Sequence, residues 1–176
     1  MVKVHRGDPD TLIVEEMGVW SGSARVDIAV INGEICGFEL KSDRDTLERL
    51  TAQVEIYNRV FDGMTLVVGQ RHAGKAIPMI PEWWGVFIAS AKEGDLSLEK
   101  LRDGQCNPNQ DPALIAELLW KEEALDLLAA YDLDRGWRSK RIKFLYQRLA
   151  DELALDELKA GVRKALKSRR GWLGQH

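Results

Sequence analysis

Two cysteines and three histidines in 176 residues leave little for soft-metal chemistry. Cys36 and Cys106 share no CxxC spacing, and only His5, His72 and His176 could join them. No zinc site and no disulfide framework is therefore expected. Long apolar runs are lacking too. No window approaches the roughly eighteen residues that suggest a membrane span, and no signal-peptide pattern opens the chain. The expectation is a cytoplasmic protein without a membrane partner. Internal repeats and low-complexity tracts are also absent. What remains is 45% apolar and 30% charged residues, enough for a real core in one ordinary domain with a small appendage.

The net charge of −3 conceals a segregation. Residues 135–170 hold twelve Lys/Arg against four Asp/Glu, a balance of +8, which leaves −11 on the other 140 residues. One end of the chain is thus suited to a polyanion, or else to a solvated, salt-bridged helix pair.

Hydrophobic period orders the elements. GDPDTLIVEEMG has Asp8 to cap and Pro9 to open a short helix, with Gly18 to end it. Two apolar runs flank Asn32-Gly33 and predict an antiparallel hairpin. Leu47, Leu50, Val54, Tyr57 and Phe61 recur at spacings of three and four, predicting a helix that Ser42, Asp43 or Asp45 could cap. MTLVVG and WWGVFIAS read as strands. Beyond CNPNQDP the pattern is helical: from Pro112 to about Tyr131, from Ser139 to Leu153, and from a cap at Asp156 onward. The predicted organisation is an α/β core over residues 1–104 (helix, hairpin, helix, strands) and a basic helical region over 105–176 that packs on or beside it.

The hairpin, RVDIAVINGEICGFELK, holds charges where a core strand has no need of them. Alternation puts Glu39 and Lys41 on one face and Leu40 on the other. The position of Asp27 depends on the turn. A two-residue Asn-Gly loop sets Asp27 opposite Phe38, facing away from Glu39. A loop of Ile31, Asn32 and Gly33 sets it opposite Gly37 and diagonal to Glu39. A loop from Asn32 to Glu34 sets it directly opposite Glu39. Either three-residue loop gathers two carboxylates and an ammonium. Such a pair suits Mg²⁺, which takes one or two carboxylates and keeps several waters, and a lysine beside it could hold a water. The alternative is a surface hairpin with an ordinary cross-strand ion pair.

Order and context add to this. An acid in a helix, Asp on one strand, ExK on the next and Gln53 on the following helix resemble the PD-(D/E)XK nuclease superfamily. The stretches VDIAVINGEICGFELKSDRDTLERLTAQVEIYNRVFD, IPEWWGV, LLWKEEALDLL and RRGW look like an uncharacterised bacterial family within it, over about Glu16 to Trp172. The resemblance implies a restriction-endonuclease-like core and a metal-dependent nuclease hydrolysing phosphodiester bonds, with DNA the first choice of substrate. It implies Mg²⁺ (or Mn²⁺) held by Asp27, Glu39 and Glu16, with Glu15 the rival for the last place. Lys41 would be the catalytic lysine, and Gln53 would orient substrate or water. Val26-Asp27 stands where the superfamily has proline-aspartate.

Under this reading Arg135, Arg138, Lys140, Arg141 and Lys143 would neutralise phosphates, as would Lys164, Lys167, Arg169 and Arg170. Trp83-Trp84 reads as core packing rather than base stacking, and Gln70, Arg71, His72 and Lys75 as a polar loop. Two other functions compete. One is a nucleic-acid-binding module on the same fold without catalysis, and the other a regulatory or interaction protein whose acidic front meets a basic partner.

Overall fold

The computed structural model describes Asp8 and residues 10–19, 22–92 and 95–169. Three strands open it as an antiparallel meander: β1 (Leu12–Val19), β2 (Ala24–Asn32) and β3 (Glu34–Lys41). The helix expected before Gly18 is therefore a strand. Val14 and Met17 have the spacing of a helical stripe, but Leu12 to Val19 pair with Ile31 to Ala24 along β2. Two consecutive exposed residues, Glu15 and Glu16, interrupt the strand's alternation, and Glu16 takes a left-handed backbone with φ of 53°. Tertiary pairing has overridden a local period.

From β3 the sheet turns parallel. The helix α1 (Leu50–Val60) carries the chain to β4 (Gly63–Gly69), which pairs parallel with β3. A short helix α2 (Gln70–Ala76) and a 3₁₀ turn (Ile77–Met79) lead to β5 (Gly85–Lys92), parallel to β4. The antiparallel β6 (Asp95–Arg102) ends a six-stranded sheet of order β1-β2-β3-β4-β5-β6. The fold is a mixed α/β one, and no restriction-endonuclease-like core is established by it.

Several elements differ from expectation. α1 begins at Leu50 and has no side-chain cap. Ser42 and Asp45 instead close a turn on each other, with Asp45 Oδ2 accepting from Ser42 N–H and Oγ–H at 2.7 Å. Asp43 reaches away, accepting from the Arg71 N–H at 2.9 Å, so the expected loop from Gln70 becomes α2. β6 has no buried stripe to announce it, because its leucines face water: Leu96, Leu98 and Leu101 are 72%, 49% and 57% exposed. The long helix expected from Pro112 is two, α3 (Pro112–Ala116) and α4 (Lys121–Ala130), with Asp111 capping the first. α5 (Ile142–Glu152) and α6 (Leu155–Ser168) complete the chain. Trp83 and Trp84 are core residues, and Trp84 Nε1–H donates to Asn58 Oδ1 at 2.8 Å. Among the described residues no helix is long and apolar enough to cross a membrane.

One continuous apolar cluster runs from Val14 on β1 to Leu166 on α6. A buried carboxylate fastens its parts. Asp62, just after α1, accepts from the Ile35 N–H at 2.7 Å and from Gln110 Nε2–H at 3.2 Å, and it pairs with Lys159 on α6. Asp62→Ala would leave an amide without its acceptor and a mostly buried ammonium without its counter-charge. Its expected cost, read by urea denaturation, is roughly 3–5 kcal/mol, and a cost within error of zero would show that the hub does not hold the helices to the sheet.

Candidate functional site

The Asn-Gly turn decides the geometry. Asn32 pairs with Glu34 across Gly33, whose φ is 68°, so the loop is the three-residue one from Asn32 to Glu34. Ile28 lies opposite Phe38, and the same register brings Asp27 to Glu39. In place of a further backbone rung, the Leu40 N–H donates to Asp27 Oδ2 at 2.7 Å. Asp27, Glu39 and Lys41 then line one cleft of about 490 Å³, together with Glu16, Arg25, Arg49 and Gln53.

Glu39 is the buried centre of this cleft, with no exposed surface. Its Oε1 accepts from Lys41 Nζ–H and from Gln53 Nε2–H, the latter at 2.7 Å. Its Oε2 and the Gln53 Oε1 are buried without a donor. Gln53 also approaches the Tyr57 hydroxyl at 3.4 Å, and that hydroxyl donates to the Arg25 carbonyl at 2.6 Å. The one-turn spacing of Gln53 and Tyr57 on α1 thus points both at the strands. Burial pushes the Glu39 carboxyl above the usual range, against the pull of Lys41, and Asp27 pushes in the same direction. Burial likewise raises Asp27, opposed by the Leu40 amide and Lys41. The site is therefore two reluctant carboxylates sharing one nearly buried cation.

Glu16 is differently placed. It lines the cleft but is largely exposed, and it pairs with Arg25 at 3.2 Å. Among the described residues no group of three or more His, Cys, Asp or Glu side chains is arranged to hold a metal ion. Arg25 and Arg49 have no part in the sequence expectation. Arg25 lies two residues before Asp27, on the same side of an alternating strand, and that spacing was the available signal.

The basic residues divide into two sets. Arg135, Arg138, Lys140, Arg141 and Lys143 are all exposed, and so is Lys164. Arg138 leans on Asp134 at 3.4 Å. Lys167 is instead paired with Asp10 at 2.9 Å. Arg169 is buried against Glu123 and lies 4.4 Å from the Trp120 ring centroid, so it serves the fold rather than a polyanion. Arg170 lies outside the described residues.

The raised Asp27 gives a test with a defined sign. The folded chain holds this proton more tightly than the unfolded chain, so ionising Asp27 costs stability as pH rises from the ordinary Asp range through the raised value. Asp27→Asn is expected to match the parent in acid and to gain on it as pH rises across that window. Melting temperatures of both proteins from about pH 3 to 8 read the difference, and a difference that does not grow with pH would contradict the buried-carboxylate account.

A family model described as Bacteriophage P4 protein cII matches residues 2–172. Protein cII of Enterobacteria phage P4 is 26% identical over 160 residues, which are 91% of this chain and 60% of that protein. The chain thus spans about 60% of that relative's length. No solved structure matches it. These matches overturn the expected membership of a PD-(D/E)XK nuclease family. The metal-dependent phosphodiesterase expectation falls with it, and the nuclease, hydrolase and metal-binding readings are left without support. Physically, the expected acid-bearing helix is a strand, Glu16 is engaged by Arg25, and Lys41 is already clamped to Glu39. The correct placement rests on the match across nearly the whole sequence: the chain belongs to the Bacteriophage P4 protein cII family.

Proposed function

We propose that the chain is a regulatory nucleic-acid-binding protein that holds its ligand without cutting it. The observation that carries this reading is the exposed basic run ending at the first turn of α5. Arg135, Arg138, Lys140, Arg141 and Lys143 are all solvent-facing, and among the described residues only Arg138 of the five has an ion pair. Helix electrostatics sharpen the point. α4 and α6 carry Glu122, Glu123, Asp156 and Glu157 in their first turns, whereas α5 has no acid there and no side-chain cap. Cations near a helix N-terminus are each unfavourable by about 0.3–1 kcal/mol. A phosphate backbone would relieve that repulsion.

The cleft adds no positive surface to this patch. Glu39 is paired with Lys41 and Glu16 with Arg25, which leaves Asp27 and Arg49 as opposite charges and the cleft without a strong net sign. The layout of β3, α1, β4 and β5 is restriction-endonuclease-like in this reading, as a scaffold alone. The relative's name states no ligand, so DNA as the partner rests on the patch.

Salt-dependent binding tests the proposal. The parent is expected to bind DNA with an affinity that falls steeply with salt. Lys140→Glu, Arg141→Glu and Lys143→Glu together are expected to reduce the slope of log K against log salt by about three, one for each phosphate no longer neutralised. DNA incubated with the protein and Mg²⁺ is expected back at full length. Parent protein that binds neither DNA nor RNA at low salt would refute the proposal, as would cleavage that Asp27→Ala abolishes.

A further inference from the structure

An aromatic ring stands where the packing of α5 does not need one. The helix buries Leu145, Tyr146 and Leu149, yet Phe144 between these positions and the basic run is 48% exposed. Lys143 Nζ lies 5.0 Å from the Phe144 ring centroid. Trp120 offers a contrast. It is 45% exposed, but the cation over its ring is Arg169, which Glu123 locks in place. Lys143 has no carboxylate partner among the described residues, so the cation beside Phe144 is available to an incoming anion.

Resting on the nucleic-acid reading above, we propose that this patch takes single-stranded nucleic acid, with a base stacked on the Phe144 ring. Lys140, Arg141 and Lys143 hold the adjoining phosphates. A duplex presents phosphates on its outside and keeps its base faces covered, so an exposed ring gains nothing from it. An unpaired strand offers a base face beside each phosphate, the combination that an aromatic ring among cations recognises. An anionic membrane surface would also attract the cations. It fits less well, because the apolar stripe of α5 points into the core and leaves only Phe144 and Ile142 (36% exposed) to enter a bilayer.

Fluorescence anisotropy with a labelled oligo-dT and with a duplex of equal length tests the assignment, using the whole 176-residue chain. Phe144→Ala is expected to weaken oligo-dT binding by about tenfold, within the range for losing one stacked base, and to change duplex binding by less than about twofold. Phe144→Trp is expected to preserve oligo-dT binding, which separates stacking from a folding defect. Equal losses on both ligands, or no loss on oligo-dT, would overturn the stacking role while leaving the basic patch intact. Loss of all binding in the triple charge reversal, with Phe144→Ala behaving as the parent, would mark backbone contact alone and also overturn it. Anionic phosphatidylserine vesicles that bind the protein when neither oligonucleotide does would defeat both readings in favour of a membrane surface.

Discussion

The carboxylate of Asp62 is the constraint to which the rest of the architecture answers. Removing an ion from water costs several kcal/mol, so a buried charge persists only where partners surround it. Here the partners come from distant parts of the chain: the first residues of β3, the linker before α3 and the middle of α6. Neighbouring contacts reinforce the same junction. Asn107 donates to the carbonyls of Asn58 and Phe61, and Arg59 pairs with Asp111. The end of α1 is thereby fixed to both the sheet and the basic helices. Because Gln53 and Tyr57 sit on α1, the hub at one end of the helix sets the position of the cleft at the other.

The second buried ion pair does something different. Glu39 and Lys41 lie two residues apart on one strand, so their attraction joins no separate elements. Gln53 ties the pair to α1, and one oxygen of Glu39 is buried without a donor among the described residues. This charge pair, in a cleft bordered by Arg25 and Arg49, contributes little to assembly. The two halves of the molecule then hold two unlike surfaces. One is a charge-balanced cleft in the sheet, and the other is a positive, partly aromatic face at the start of α5.

Much of this was legible in the residues. Period-two alternation with an Asn-Gly turn located β2 and β3, and the three-four spacing of Leu50, Val54 and Tyr57 located α1. The gathering of Asp27, Glu39 and Lys41 was one outcome that turn length and parity allowed, and one of the two three-residue loops that give it is the one present, whereas Gln53 entered only through the family resemblance. Other features had no local signature. The start and stop signals at Asp8, Pro9 and Gly18 predict a helix where β1 lies, and only pairing with β2 reveals the strand. β6 exposes its leucines, so no buried face marks it. The ion pairs of Lys167 with Asp10 and of Arg169 with Glu123 span long sequence separations, which composition does not show. Shared site chemistry was the least reliable guide. A D…ExK…Q pattern is short enough to suggest the wrong family, whereas the cII match extends across residues 2–172.

The loop around Gly33 also governs which sequence changes the protein can absorb. Glu34 is exposed, so its side chain can vary at small cost provided that position 33 tolerates a left-handed backbone, whereas Asn32 Nδ2–H is held by Asp8 Oδ2 at 2.9 Å and Thr11 Oγ1 at 2.7 Å. Length is another matter. Deleting or inserting one residue would shift β3 by a single step against β2 and exchange its faces. Leu40 would turn toward the cleft, and Glu39 and Lys41 would be carried to the opposite side of the sheet. Among descendants of this sequence, substitutions should therefore accumulate at Glu34 while insertions and deletions are purged from the turn.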